Sequence, residues 1–135
     1  MMASDMELPK NVVGILADCG YTSAKEIIKK VMKQMKLPAD LLYPFVRLGA
    51  RLYGKFDPDE TSPIKALKKC RVPAMFIHGE SDDFVPCEMT ERNYEACIAP
   101  KKMLTVPKAG HGLSYIIDRE GYLKAVKEFD KEYGL

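Results

Sequence analysis

Three short apolar runs, residues 11–17, 72–78 and 101–106, alternate with stretches in which apolar residues recur every three or four positions. A run of that length bounded by glycine or polar residues suits a strand buried on both faces of a sheet. The intervening period of about 3.6 is that of amphipathic helices. No tight hairpin signal such as Asn-Gly joins any two runs. Strands separated by helical segments imply a parallel sheet with right-handed crossovers. The fold class read from this pattern is α/β and three-layer, a small parallel sheet of about three strands flanked by helices, in a single domain over residues 1–135.

Local signals place the helices. Thr22 or Ser23 offers an N-cap ahead of Ile27, Ile28, Val31, Met32 and Met35, which share one helical face between lysines. Leu37, Pro38, Ala39 and Asp40 break that helix, and Leu41, Leu42, Phe45, Val46, Leu48 and Leu52 form a second, more apolar one, with Pro44 expected near its first turn or at a kink. Ser62 and Pro63 read as N-cap and first residue of a short helix through Leu67. Pro86 opens a helix over residues 88–98, and the last helix carries Tyr122, Val126, Phe129 and Tyr133 on one face.

Composition excludes some functions. The net charge of +2 arises from 21 basic and 19 acidic residues, and the lysine pairs at 29–30, 68–69 and 101–102 are dispersed, so nucleic acid is not an expected partner. No apolar run approaches the ~18 residues of a membrane span, and Met1 to Lys10 carries neither a basic nor an apolar leader pattern. A soluble, cytoplasmic protein is expected. Cys19, Cys70, Cys87 and Cys97 show no Cys-x-x-Cys pairing, and the two histidines, His78 and His111, have no zinc-ligand spacing. Reduced structural thiols are expected, with a Cys70 to Cys97 bridge open as the alternative; no cofactor and no metal are expected.

In a parallel sheet the loops after successive strands gather at one edge, where open α/β sheets place their sites. Here those loops hold Asp18 and Cys19, Asp82 and Asp83, and His111. A neutral imidazole takes a proton from a nucleophile and returns it to a leaving group when its other nitrogen donates to a carboxylate that fixes the tautomer. Asp82 and His111 have the residue types for that half of the chemistry.

The pattern Gly79-x-x-Asp82-x-x-Val85-Pro86 after an apolar strand, with Gly110-His111-Gly112 following 29 residues after the Asp, resembles the acid and base segments of α/β-hydrolases. Ile77-His78-Gly79, Val72-Pro73 opening a strand, Ser62-Pro63-Ile64 and the strand ending in Asp18-Cys19-Gly20-Tyr21 resemble the C-terminal half of bacterial esterases, lipases and prolyl-oligopeptidase-like serine hydrolases. The resemblance implies that Asp82 is the triad acid, with Asp83 as the fallback, that His111 is the base, and that His78 is a structural residue at a strand end. It also implies that residues 23–60 form a helical cap whose apolar helices line an acyl or other hydrophobic pocket.

One part of the family pattern is missing. The family's serine sits in Gly-x-Ser-x-Gly on a strand-to-helix elbow ahead of the acid, and this chain contains no such motif. Met1 to Ser4 reads as the remnant of the strand that follows the elbow helix. Without nucleophile and oxyanion hole, little hydrolysis is expected from the chain alone. Two other readings stay open: a hydrolase built on Cys19, Asp82 and His111, and a non-catalytic binding or association domain. The substrate expected with a supplied nucleophile half is a small ester or a peptide, and the strand edge left bare by that missing half predicts a homo-oligomer.

Overall fold

The side chains of β2 (Ala74–Gly79) alternate between two separate apolar layers. Ala74 and Phe76 pack with Leu67, Cys70, Cys97 and Ala99, whereas Met75 and Ile77 pack with Phe129. Burial on both faces is why this strand reads as an unbroken apolar run. β1 (Ile15–Asp18) and β3 (Lys101–Val106) flank β2 in the order β1-β2-β3, and both pairings are parallel, with Ala74 opposite Ile15 on one side and Lys101 on the other. The computed structural model describes residues 7–60 and 62–134. The Met1 to Ser4 segment lies outside the described residues.

Two layers of helices close the core. On one face, α3 (Pro63–Leu67) and α4 (Cys87–Ala96) cover Phe76, whose ring meets Tyr94 edge-on at 6.0 Å. On the other, α5 (Ser114–Ile117) and α6 (Arg119–Tyr133) cover β2 and β3, and the Tyr122, Val126 and Tyr133 face surrounds buried Phe129. Burying Phe76 and Phe129 contributes about 1.5–3 kcal/mol each. The caps lie where the sequence places them: Ser23 accepts the Glu26 N–H and Ser62 the Lys65 N–H. α1 (Ala24–Gln34) packs on α2 (Ala39–Tyr53) and is tied to α4 by a forked Glu26–Arg92 pair at 2.9 and 3.3 Å.

The structure differs from the sequence reading at four points. The first strand is short, from Ile15, and it is not buried on both faces: Leu16 is 49% exposed. Among the described residues β1 lies at the edge of the sheet and α6 packs over β3, so none of them covers the face that Leu16 presents. α2 begins at Ala39, so Ala39 and Asp40 lie inside it and not in the break before it, and Pro44 sits in its second turn. α4 ends at Ala96, because Cys97 turns to extended backbone. α5 was not foreseen; four residues are too few to show a period.

No helix of the described residues is long and apolar enough to cross a membrane. Along α2, Leu41, Phe45, Leu48 and Leu52 form an exposed apolar stripe, while Tyr43 is buried and donates its hydroxyl to Asp59.

Candidate active site

The loops that follow β2 and β3 are stitched together beyond the sheet. Glu80 donates its N–H to Val106 and Ser81 donates to Ala109. Gly79 is required at this approach, since a Cβ there would collide with the carbonyl of Ala109 and lie 2.7 Å from that of Gly110. The Asp82 side chain turns back on its own loop, with Oδ1 accepting the N–H groups of Phe84 at 2.9 Å and Val85 at 2.8 Å. Its other oxygen, Oδ2, lies 2.8 Å from His111 Nδ1.

The Asp82 side chain is wholly buried and that of His111 is 46% exposed. Burial by itself would raise the Asp82 carboxyl, but the His111 bond and the two backbone N–H groups outweigh it and hold the group below its usual range. A carboxylate can only accept, so His111 Nδ1 carries a proton, and the lone pair of the neutral form of such a ring is on Nε2. The Phe84 ring meets the imidazole edge-on at 5.1 Å. Asp83, the alternative acid, is exposed, and its carbonyl is held by Lys30 and by Gln34 at 3.4 Å.

His78 is completely buried at the end of β2. Its Nε2 lies 2.8 Å from the Val85 carbonyl and 3.2 Å from Asp82 Oδ2, and its Nδ1 lies 2.6 Å from Thr90 Oγ1 on α4. The same Thr90 oxygen lies 3.2 Å from the Gly20 carbonyl. The chain's two histidines therefore approach one carboxylate oxygen.

Cys19 follows β1 in left-handed backbone, φ 51°, and its thiol donates to Asp18 at 3.3 Å while accepting the Gly112 N–H at 3.2 Å. Burial above all, with the Asp18 carboxylate, pushes the thiol up to about 11 against the opposing Gly112 bond. It is a neutral thiol near pH 7, not an activated thiolate. Donor atoms of Cys19, His78 and Asp82 lie within 4.8 Å of one another. Each already has hydrogen-bond partners in the loops around it, which makes the group a closed polar network. All four cysteines are free, Cys70 and Cys97 included.

Sequence reasoning missed three contributors. Thr90 had no motif to mark it, and Phe84 was passed over although it lies two residues beyond the acid. Lys30 was only one of the lysines between the apolar positions of its helix, yet its ammonium donates to the carbonyls of Asp83 and, at 2.9 Å, Phe84. A groove of about 630 Å³ along α2, lined by Arg47, Arg51, Phe56 and Asp57 among others, includes neither Asp82 nor His111.

The three-stranded parallel sheet with its flanking helices has counterparts among solved structures. The esterase Pf2001 of Pyrococcus furiosus superposes with a TM-score of 0.65 at 22% identity, over 92% of this chain and 46% of that one. The fold is that of the α/β-hydrolases. The chain spans well under half the length of the curated relatives it matches. It is 32% identical over 115 residues to the uncharacterised protein YqkD of Bacillus subtilis, which covers 84% of this chain and 38% of YqkD. It is 33% identical over 54 residues, 40% of its length, to 20% of the bifunctional esterase/perhydrolase DCH of Acinetobacter calcoaceticus. No protein-family model matches this α/β-hydrolase chain.

Proposed function

We propose that this chain is the C-terminal part of a serine hydrolase acting on a carboxylic ester, a thioester or a peptide, and that it supplies the catalytic acid and base. The observation that carries this reading is the 2.8 Å contact between Asp82 Oδ2 and His111 Nδ1 where the β2 and β3 loops meet. It leaves Nε2 of a half-exposed imidazole as the base. In the reaction, Nε2 takes the proton of a nucleophilic hydroxyl as that oxygen attacks the acyl carbon, then returns it to the departing alcohol, thiol or amine. Asp82 holds the ring and stabilises the transient imidazolium.

The nucleophile and oxyanion hole belong to sequence outside this chain, so hydrolysis by the chain alone is minimal. Residues 23–60 act as the cap, with the Leu41, Phe45, Leu48 and Leu52 stripe toward the acyl group. The edge of β1, unpaired among the described residues and carrying half-exposed Leu16, favours a second role in association. Under this reading the chain pairs with a second copy in the cytoplasm when no nucleophile half is present, and sedimentation at falling concentration tests it. A dimer supports the reading and a monomer throughout counts against it.

The functional test is hydrolysis of a short-chain p-nitrophenyl ester by the purified chain beside His111→Ala and Cys19→Ala. A rate no higher than that of the variants fits a chain without its nucleophile. Turnover lost in both variants would make Cys19 the nucleophile and overturn the reading.

A further inference from the structure

His78 is buried, polar and unused by the chemistry assigned to Asp82 and His111. The Val85 carbonyl can only accept, so the 2.8 Å contact fixes the His78 tautomer with its proton on Nε2. The same nitrogen lies 3.2 Å from Asp82 Oδ2, the oxygen that accepts the His111 Nδ1 hydrogen bond. With its proton on Nε2, the ring accepts the single Thr90 hydroxyl proton at Nδ1 across 2.6 Å, so it cannot turn away without breaking its buried bonds to Thr90 and Val85.

We propose that His78 is a positioning residue acting through Asp82: its Nε2–H, anchored on the Val85 carbonyl, draws on the charge of Oδ2 and sets how strongly that oxygen grips His111. The proposal deepens the hydrolase reading and rests on Asp82 and His111 being its acid and base. A carboxylate oxygen whose charge is partly offset by a nearby N–H dipole is a weaker acceptor for its own hydrogen-bond donor. His78 thus moderates the hydrogen bond that holds His111, while the two backbone N–H groups on Oδ1 fix the direction of the carboxylate.

Few other charged or titratable groups bear on this pair. Asp18 and Cys19 approach from the end of β1, Cys87 from the start of α4, and the Lys30 ammonium of α1 lies on the carbonyls of Asp83 and Phe84. Cys19 is neutral near pH 7, so it supplies no competing charge.

The test is proton and nitrogen NMR of the imidazoles in the full chain, where two histidines make assignment direct. In the unmutated chain, His78 is expected as the Nε2–H tautomer; a proton on Nδ1 alone overturns the proposal without any variant. In His78→Leu, the His111 Nδ1–H resonance moves downfield as Oδ2 becomes a stronger acceptor, and in His78→Gln, which keeps a donor, it stays near its starting position. A merely structural role gives the opposite sign, an upfield shift or loss of the resonance as the loop loosens. That result, or an unchanged resonance in a folded His78→Leu chain, contradicts the proposal. None of these readouts depends on ester hydrolysis, so they separate failure of the His78 role from failure of the hydrolase reading.

Discussion

Gly112 donates its backbone N–H to the sulfur of Cys19 across 3.2 Å, so the residue that follows β1 holds the loop carrying His111. Gly112 adopts φ 67° and Cys19 φ 51°, and each chain turns sharply where the two meet. Because burial raises the Cys19 thiol to about 11, the sulfur serves as an acceptor and not as a nucleophile. Alkylation with iodoacetamide near neutral pH should therefore modify Cys87, the one partly exposed cysteine, well before Cys19. Peptide mapping by mass spectrometry checks the order, and a Cys19 that reacts as fast as Cys87 would refute the neutral, buried thiol.

The two adjacent carboxylates are not equivalent. Asp82→Ala leaves two loop N–H groups and the His111 Nδ1–H without their acceptor in a buried site, and the expected loss is about 2–4 kcal/mol. Asp83→Asn changes an exposed side chain and is expected to stay within about 0.5 kcal/mol. Urea unfolding of the two variants decides the matter; equal losses would show that Asp82 is not the carboxylate holding the loop.

Acid stability should follow from Asp82 and from Asp57. The Asp82 carboxyl is held below its usual range, and the forked Arg47 bond holds Asp57 down to about 2. A depressed carboxyl stabilises the fold fully above its unfolded pKa of about 3.9 and stops doing so as pH falls through the folded value. Stability is expected to fall between about pH 4 and pH 2, and less steeply in Asp57→Asn. Parallel pH profiles of unmutated chain and variant over that window would contradict the assignment.

Gly79→Ala probes the seam between the loops. The new Cβ meets backbone carbonyls of Ala109 and Gly110, which cannot rotate aside as a flexible side chain can. We expect a loss of about 1–3 kcal/mol and weakening of the Asp82–His111 contact as residues 109–112 shift. Unchanged stability together with an unchanged His111 resonance would mean that the loops approach less closely than described.

Much of this architecture is legible in the chain. β3 runs over Lys101–Val106 as its apolar pattern predicts, and Ser23 and Ser62 cap the helices they precede, because each signal is local. Asp82 and His111 were legible because parallel topology sends successive strand ends to one edge, where a 29-residue separation becomes a hydrogen bond. Leu16 was misread as buried, since its exposure depends on where α6 lies and no local pattern encodes that. His78 with Thr90, and Lys30 with the Asp83 carbonyl, were out of reach for a related reason: a lone histidine in an apolar strand or a lysine on a polar helix face does not name its partner.

The most direct measurement is the protonation pattern of the His111 ring by nitrogen-15 NMR in the unmutated chain and in Asp82→Asn. An acid–base pair requires the proton on Nδ1, a free lone pair on Nε2, and loss of that preference in Asp82→Asn, whose amide can offer a hydrogen in place of an accepting oxygen. We expect that pattern and that loss. A proton on Nε2, or a tautomer indifferent to Asp82→Asn, would mean that Asp82 does not prepare His111 as a base.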